Sequence, residues 1–241
     1  MGDHPRGPRT PHLRRRAQPR PRGRSPPRSR RVTLQTPPAG YDALVVARGR
    51  NVVLRRRRRE DAIDEYAWRR DPETARLNGQ PPVSPSFARF LDTFEQEWRL
   101  AGHGRDQLAI DTIAGEHIGT VMYYNAESGD SAELGITIGD ARRRGQGLGR
   151  EAVVLFLRHL FAAHPFREIY LHTLADNLPA RRAFIAAGFS PTVAVQRGDD
   201  RYIRMEVRRE WWLLWDMEGR FAFADPSGPE NPAFTPLSPR E

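Results

Sequence analysis

The sequence predicts an α/β sandwich with a mixed, mostly antiparallel sheet. Segments with strand and helix periodicity follow one another over about 160 of the 241 residues, which favours a single domain with one hydrophobic core. Short turns containing glycine or aspartate join the first strand-like segments, as in an antiparallel meander. A long apolar helix then leads to the remaining strands, so we expect the sheet to be mixed.

The first half of this domain contains two predicted helices and four predicted strands. Glu60 and Asp61 place negative charge where the first helix begins, and Asp71-Pro72 ends that helix. The predicted elements are strand 51–55, helices 61–70 and 86–100, and strands 107–111, 117–125 and 132–138.

The second half begins with a helix whose wide apolar face includes Val153, Phe156 and Leu160, which suits packing on a sheet. Pro165 closes this helix. The predicted elements are helix 149–162, strand 168–173, helix 180–187, and strands 191–196 and 202–208.

A glycine-rich run lies between a predicted strand and this helix. From Arg142 to Gly149 it reads Arg-Arg-Arg-Gly-Gln-Gly-Leu-Gly. Glycine tolerates positive φ, so such a turn directs backbone N–H groups toward an anion at the helix N-terminus. Arginine side chains also pair well with phosphate oxygens. The run therefore predicts a diphosphate-binding turn, with a solvated Arg/Gly loop as the alternative.

Two familiar phosphate motifs do not match this run. A P-loop ends in Gly-Lys-Ser/Thr, and the sequence contains no lysine. A Rossmann turn has the spacing Gly-x-Gly-x-x-Gly and an acidic residue at the end of the next strand. Here the glycines are spaced Gly-x-Gly-x-Gly, and the next strand ends in Thr173.

A second motif follows about 30 residues later, where Asn177 to Phe189 reads Asn-Leu-Pro-Ala-Arg-Arg-Ala-Phe-Ile-Ala-Ala-Gly-Phe. Together the two motifs resemble the Arg/Gln-x-x-Gly-x-Gly/Ala and Asn-x-x-Ala/Ser…Gly-Phe segments of the GCN5-related N-acetyltransferases (GNAT). The resemblance covers roughly residues 51–209. Leu54-Arg55, Asp71-Pro72-Glu73 and Ala132 to Ile136 further resemble the branch that acetylates ribosomal-protein N-termini.

This resemblance implies a three-layer α/β/α sandwich whose sheet is splayed at the cofactor site. It also implies acetyl-CoA as cosubstrate, an amine as acceptor, and no metal. Pantetheine would pair with the free edge of strand 132–138. Arg142 and Arg181 or Arg182 are further candidates for phosphate contacts, and Asn177 has helix capping as its alternative role. The implied cofactor-binding residues are Ile136, Thr137, Ile138, Arg143, Arg144, Gly145, Gln146, Gly147, Leu148, Gly149, Asn177 and Phe184.

Glu133 is the candidate catalytic residue. It begins the strand before the glycine-rich turn and resembles the glutamate of the ribosomal-protein branch, so we predict that it acts as general base, through water. A strand carboxylate with a purely structural role is the alternative. Asp111, Asp130 and His172 are further candidates. Many family members have a tyrosine where this sequence has Phe184, which cannot protonate the leaving thiolate.

The acceptor is predicted from amine basicity. An α-amine with a pKa near 8 is about 10% neutral at pH 7, whereas a lysine side chain is below about 0.1% neutral. A site without a strong base therefore favours a protein N-terminal α-amine, although the same branch includes enzymes for small-molecule amines. Helices 61–70 and 86–100 are predicted to line the acceptor cleft. The candidate wall residues are Trp68, Phe87, Phe90, Phe94 and Trp98.

The formal charge of +9 is concentrated at the N-terminus, where residues 1–31 contain eleven arginines and one aspartate. The rest of the chain is nearly neutral, so a basic nucleic-acid-binding body is not predicted. Residues 1–45 are predicted to form a disordered Arg/Pro-rich tail. Such a tail can make a weak polyanion or RNA contact, and an inert extension or a misplaced start codon are the alternatives.

The predicted organisation is thus a tail at 1–45, an acetyltransferase domain at 51–210, and a short aromatic segment with a flexible tail at 211–241. The chain has no cysteine and no apolar run of the roughly 20 residues that a membrane span needs. We therefore expect a cytoplasmic monomer or homodimer without membrane contact. Two other functions remain open, namely a catalytically degenerate coenzyme A-binding module and an RNA-associated protein that acts through its tail.

Overall fold

The computed structural model describes residues 40–99, 104–126 and 129–228, and these residues contain one sheet of eight strands. Most strand boundaries lie within two residues of those predicted. The strands are β1 Val45–Arg48, β2 Val52–Arg56, β3 Asp106–Thr112, β4 His117–Tyr124, β5 Ser131–Ile138, β6 Glu168–Leu174, β7 Ser190–Arg197 and β8 Asp200–Arg208.

The sheet has the order β1-β2-β3-β4-β5-β6-β8-β7. Neighbouring strands pair antiparallel except β5 and β6, which are parallel because a helix connects them. The predicted mixed, mostly antiparallel sheet is therefore confirmed. The helices are α1 Tyr41–Leu44, α2 Asp61–Arg70, α3 Pro72–Leu77, α4 Phe87–Arg99, α5 Leu148–Ala163, α6 Leu178–Ala186 and α7 Arg209–Met217.

The main core lies between α5 and one face of the sheet. Side chains of α5 such as Val153 and Phe156 pack against buried residues of β5 and β6, including Ala132 and Leu171. Successive residues of a strand face opposite sides, so Glu133 faces away from α5. Helices α2 and α4 lie on that second face, where they form a smaller apolar cluster. The predicted α/β/α layering is confirmed.

The parallel strands β5 and β6 separate after a short paired stretch. Only residues Ser131 to Glu133 of β5 pair with β6, where their partners are Glu168 to Tyr170. Beyond this point β5 remains paired with β4, and β6 remains paired with β8. The β5 edge from Leu134 to Ile138 therefore faces a gap in the middle of the sheet, which confirms the predicted splay. We call the point where the strands part the fork.

A buried ion-pair network attaches α2 to the second face of the sheet. Arg55 in β2 is fully buried. Its Nη1 and Nη2 donate to the carboxylate of Asp61 in α2 at 2.7 and 2.8 Å, and its Nε donates to Asp111 in β3 at 2.7 Å. Tyr41 donates its hydroxyl to the same Asp111 oxygen at 2.9 Å. One guanidinium thus joins three elements.

The ordered domain extends beyond the predicted limits of 51–210. Tyr41 is 4% exposed and begins α1, inside the range assigned to the N-terminal tail. At the other end, Trp212 of α7 stacks on Phe221 with ring centroids 5.0 Å apart, and both are in the main core. The aromatic segment is therefore part of this domain. The predictions for residues 1–39 and 229–241 lie outside the described residues.

Replacing Arg55 tests the network. The variant Arg55→Met would leave Asp61 and Asp111 buried without their cation, so we expect a loss of about 3–5 kcal/mol in the free energy of unfolding. Urea denaturation measures this loss. Arg48→Met is the matched control, because Arg48 pairs with Asp42 at the surface and such pairs contribute about 0–1 kcal/mol. Equal losses in the two variants would contradict the role of the network.

The same network predicts an acid-dependent stability. Burial alone would raise the pKa of Asp61, but its hydrogen bonds to Arg55 and the nearby charge of His117 lower that pKa below its ordinary value. A lowered pKa stabilises the fold above the unfolded-state pKa near 3.9, and this contribution is lost as the pH falls through the folded-state pKa. The free energy of unfolding of the wild type should therefore exceed that of Asp61→Asn most at neutral pH. The difference should narrow in acid, and a constant difference would exclude this explanation.

Candidate active site

The glycine-rich turn connects the end of β5 to α5. Gly145 and Gly147 have φ of +75° and +79°, which glycine adopts without strain. Gly147 is the N-cap of α5, and no side chain caps this helix end. Within the described residues, none of the backbone N–H groups from Gly145 to Arg150 donates a hydrogen bond. The turn therefore presents unpaired donors at a helix N-terminus, an arrangement that suits phosphate groups. The predicted turn residues Gly145, Gln146, Gly147, Leu148 and Gly149 all lie in this segment.

Arg144 holds the turn from inside the protein. Its Nε donates to the carbonyl of Ile138 at 3.0 Å, and its Nη2 donates to Thr74 Oγ1 at 2.7 Å and to the carbonyl of Gly139 at 3.3 Å. These contacts join the end of β5 to α3. The guanidinium of Arg144 is thus engaged with protein oxygens, and its predicted cofactor contact stays a prediction.

Two other arginines of the turn pair with carboxylates. Arg142 donates from Nε and Nη2 to Asp140 at 3.0 and 2.8 Å, and these hydrogen bonds lower the pKa of Asp140. Arg143 pairs with Glu116 and is about one-third exposed. Ion pairs this close to solvent contribute little stability, so these guanidiniums can exchange a carboxylate for a phosphate at small cost.

The predicted strand contacts lie on the free edge of β5. The side chains of Ile136 and Ile138 pack against the main core, and Thr137 donates its hydroxyl to Asn78 at 3.0 Å. These side chains are therefore used within the protein. Any contact that these three residues make across the gap comes from their backbone, as predicted for a strand-like ligand.

Asn177 and Phe184 both have structural roles in α6. The side-chain oxygen of Asn177 accepts a hydrogen bond from Ala180 N at 3.2 Å and caps the helix. Phe184 is 7% exposed, and its ring packs edge-on against Phe189. Capping, the alternative role considered for Asn177, is thus present. The cofactor contacts of both residues stay predictions.

Glu133 lies at the fork, opposite Tyr170 in the register of β5 and β6. His172 Nδ1 is 2.8 Å from one oxygen of its carboxylate, and Asn125 donates to the other at 3.0 Å. Tyr124 lies opposite Glu133 in the β4–β5 register, and burial together with the Glu133 charge raises the pKa of Tyr124 above its usual range. We call Tyr124, Asn125, Glu133 and His172 the fork cluster.

The structure separates the other candidate bases. Asp111 is fully buried in the Arg55 network, so it cannot serve the gap between β5 and β6. Asp130 is largely exposed and lies 3.6 Å from Arg167. His172 alone of these candidates reaches Glu133. The sequence places His172 on the same face of the strand as Tyr170. That Tyr170 lies opposite Glu133, and hence that Glu133 is the partner of His172, became known only from the strand register.

The helices on the second face use most of their aromatic residues internally. Phe90 and Phe94 are buried between α2 and α4. Trp68 fills the space beside Gly139, where an added Cβ would lie 1.9 Å from the indole. Phe87 and Trp98 are more than one-third exposed, so they remain candidates for the acceptor cleft. Trp68 also lines an open pocket of about 330 Å³, together with Asp64, Glu116, His117, Asp140 and Arg142.

A comparison with protein families matches residues 51–190 to the acetyltransferase (GNAT) domain. This range includes the fork, the glycine-rich turn and α6. The chain belongs to the GNAT acetyltransferase family. Family membership confirms the resemblance seen in the two sequence motifs, and it agrees with acetyl-CoA as cosubstrate. The closer resemblance to the ribosomal-protein branch stays a prediction.

Solved structures support the GNAT fold. One is the spermidine N-acetyltransferase of Vibrio cholerae, in complex with CoA and spermine, which has a TM-score of 0.60 at 18% sequence identity. The matched region covers 67% of this chain and 98% of the Vibrio cholerae chain. The aminoglycoside acetyltransferase AAC(6')-Ib, in complex with coenzyme A, has a TM-score of 0.58 at 22% identity, with coverages of 68% and 98%. No curated protein matches the chain.

Two further features of this GNAT domain concern membranes and metals. No helix in the described parts of the chain is long and apolar enough to cross a membrane. Among the same residues, no group of three or more His, Asp or Glu side chains is arranged to hold a metal ion.

A charge at Gly147 tests whether the turn of this GNAT domain binds an anion. Asn and Asp both tolerate a left-handed backbone and have similar size, so Gly147→Asn is the matched control for Gly147→Asp. The carboxylate of Asp would occupy the unpaired N–H groups and repel a diphosphate. We expect Gly147→Asp to bind coenzyme A at least about 10-fold more weakly than Gly147→Asn in calorimetry. Equal affinities would show that the diphosphate lies elsewhere.

Proposed function

We propose that the protein is an acetyl-CoA-dependent N-acetyltransferase that transfers the acetyl group directly to a primary amine. The acceptor is a protein N-terminal α-amine or a small-molecule amine. The observation that carries this proposal is the unpaired edge of β5, which leads from the glycine-rich turn to Glu133 at the fork. Phosphate donors and an ionisable cluster lie at the two ends of one open strand edge.

The length of this edge supports the proposal. From Ile138 to Glu133 the strand advances five residues at roughly 3.3 Å each, or about 17 Å. Pantetheine is an extended arm with two amide groups, so it can pair with such an edge as an added strand does. A diphosphate at Gly145 to Arg150 would then place the thioester beside the fork cluster. The unpaired N–H groups and the gap between β5 and β6 fit the groups of acetyl-CoA in this order.

The residues around the fork have the functions that acetyl transfer to an amine requires. Acetyl-CoA supplies an activated acyl group with a thiol leaving group of ordinary pKa near 8.5. The strand edge positions it, and positioning alone contributes roughly 7–11 kcal/mol. Glu133 supports removal of the amine proton. Tyr124, opposite Glu133 in the β4–β5 register, supplies a hydroxyl near the fork, which Phe184 lacks.

The acceptor class follows from charge and basicity. A negative carboxylate at the fork attracts an ammonium group, and an α-amine loses its proton more readily than a lysine side chain. The structural neighbours were solved with spermine or, for AAC(6')-Ib, with kanamycin, and both are small-molecule amines. Small-molecule amines are therefore retained, together with peptide N-termini, as candidate acceptors. Leu54-Arg55, Asp71-Pro72-Glu73 and Ala132 to Ile136 resemble the ribosomal-protein branch, which favours the peptide.

One observation favours a second function, that of a catalytically degenerate coenzyme A-binding module. Phe184 stands where many family members have a tyrosine, and its ring is buried rather than directed into the gap. Such a module would bind acetyl-CoA at the turn without acetylating any amine.

The RNA-associated function would depend on the basic N-terminal tail. Strongly salt-dependent RNA binding that is lost on removal of residues 1–39 would support it.

Thiol release distinguishes these functions. The purified chain is incubated with acetyl-CoA and a panel of α-amino peptides, Nα-blocked lysine peptides, polyamines and aminoglycosides, and free thiol is followed with Ellman's reagent. The chain contains no cysteine, so it adds no background. We expect release with α-amino peptides or small amines and little with the blocked lysine peptides. Binding of acetyl-CoA without release on any member of the panel would favour the degenerate module instead.

A further inference from the structure

We propose that His172 is the general base of this site and accepts the proton of the acceptor amine at Nε2, while Glu133 is a positioning residue that holds the imidazole through Nδ1. This inference rests on the proposed N-acetyltransferase function. From the sequence, Glu133 was the first candidate for general base and His172 was a further candidate.

The hydrogen bonds around Glu133 argue against direct proton transfer to its carboxylate. One oxygen lies 2.8 Å from His172 Nδ1, and the other accepts from Asn125 at 3.0 Å. Tyr124 lies opposite Glu133 in the β4–β5 register. The side chain is 9% exposed. Glu133 is therefore surrounded by protein donors, as expected for a carboxylate that orients a neighbour.

His172 has one ring nitrogen left for a substrate. A carboxylate can only accept hydrogen bonds, so the 2.8 Å contact requires the proton on Nδ1. In the neutral ring Nε2 then carries the basic lone pair, and no hydrogen bond joins it to another described residue. The His172 side chain is 11% exposed, so the imidazole is not sealed from solvent.

The placement of His172 on β6 points it toward the gap. Its sequence neighbours Leu171 and Thr173 are buried on the core side, so His172 lies on the same face as Glu133. It is two residues beyond Tyr170, the last residue of β6 that pairs with β5. Nε2 therefore lies on the second face of the sheet, just past the fork, where a thioester on the β5 edge would meet an acceptor.

The titratable groups that face His172 lie on four strands. Glu133 on β5 and Tyr124 on β4 face it from one side. Tyr170 on its own strand lies edge-on to the imidazole ring. On β8, Arg204 is paired in register with His172, but its guanidinium lies over the Tyr170 ring and bonds two carboxylates. Those carboxylates are Glu168, at 2.7 Å, and Glu206, at 3.4 Å.

His117 provides a contrast within the same fold. Its Nδ1 is 3.2 Å from Asp64, and its Nε2 is 3.0 Å from the carbonyl of Gly119. Both ring nitrogens are therefore occupied, and the ring packs against Trp68 at an interplanar angle of 53°. A carboxylate-bound histidine with one nitrogen open, as at His172, is the arrangement that proton transfer needs.

The proton and electron balance is complete without another reactant. Nε2 of His172 takes one proton from the acceptor ammonium, and the freed nitrogen lone pair forms the C–N bond to the acetyl carbon. The C–S bond breaks, and its electron pair leaves with sulfur as a thiolate. The second proton lost by the nitrogen protonates that thiolate. His172 then returns its proton to solvent, so the net release is one proton for each ammonium acetylated.

A measurement on the free protein tests the tautomer. Nitrogen-15 NMR of the imidazole distinguishes Nδ1–H from Nε2–H, and the variant His172→Gln assigns the signals. We expect the neutral His172 ring to carry its proton on Nδ1. In Glu133→Gln the amide can donate to Nδ1 and so favour the Nε2–H tautomer. A wild-type ring protonated on Nε2 would overturn the proposal, whatever the activity.

A kinetic comparison tests the base. With an active acceptor, His172→Gln should lower kcat/KM by about 100-fold or more while the acetyl-CoA Kd stays unchanged. The fall in kcat/KM below neutral pH, which an imidazole base causes, should disappear in this variant.

Glu133→Gln should reduce kcat/KM to a similar extent. The double variant should have a kcat/KM only slightly below that of either single variant, because the two residues act as one unit. His164→Gln is the matched control, since His164 stacks on Phe166 away from the fork.

The outcomes separate this inference from the function on which it rests. If the wild type acetylates no amine, the proposed function fails, and the tautomer measurement still decides the role of Glu133. If the wild type is active, and His172→Gln retains both the rate and the fall in kcat/KM below neutral pH, His172 is not the base. If Glu133→Gln alone abolishes turnover while His172→Gln retains that fall, Glu133 accepts the proton itself. If His172→Gln has a reduced rate but an unchanged pH dependence, His172 has a purely structural role.

Discussion

The buried guanidinium of Arg55 determines where the second layer of helices lies on the sheet. It fixes α2 through Asp61, and α2 carries Trp68 against Gly139 at the end of β5. Helix α3 follows directly, because Pro72 begins it and Asp71 caps it by accepting from Thr74. Thr74 in turn accepts a hydrogen bond from Arg144 in the glycine-rich turn. The position of the glycine-rich turn thus depends on an ion pair at the other side of α2.

The turn is held from the α5 side as well. Glu151, in the first turns of α5, accepts hydrogen bonds from Asn51 N at 2.7 Å and Val52 N at 3.1 Å. These contacts join α5 to the start of β2, and Glu151 is 1% exposed. Gly49 leaves room for the carboxylate, since a Cβ there would lie 2.4 Å from it. The N–H groups of the turn remain unpaired because the protein fixes the turn through side chains and leaves its backbone free.

The sequence was sufficient for what depends on local pattern and family motifs. Periodicity located most strands and helices, and the motifs located the splayed strands and the turn. Two kinds of feature required the structure. The helices α1 and α7 are short segments whose stability comes from tertiary contacts such as those of Tyr41 and Trp212, which local periodicity does not record. The contact between His172 and Glu133 depends on the register of the parallel strands β5 and β6. This register cannot be predicted from the sequence, because the strands are joined by a long helix rather than by a tight turn.

The fork also has a mechanical consequence. On one side of it lie β1 to β5, on the other β6 to β8, and only three residue pairs connect these two groups of strands across the sheet. Residues of α5 and of both groups of strands share the main core. The sheet therefore has a seam at the fork, where the core rather than a continuous ladder holds the two half-sheets together. A strand-like ligand in the gap acts as a stiffener, since it restores the missing rungs of the ladder.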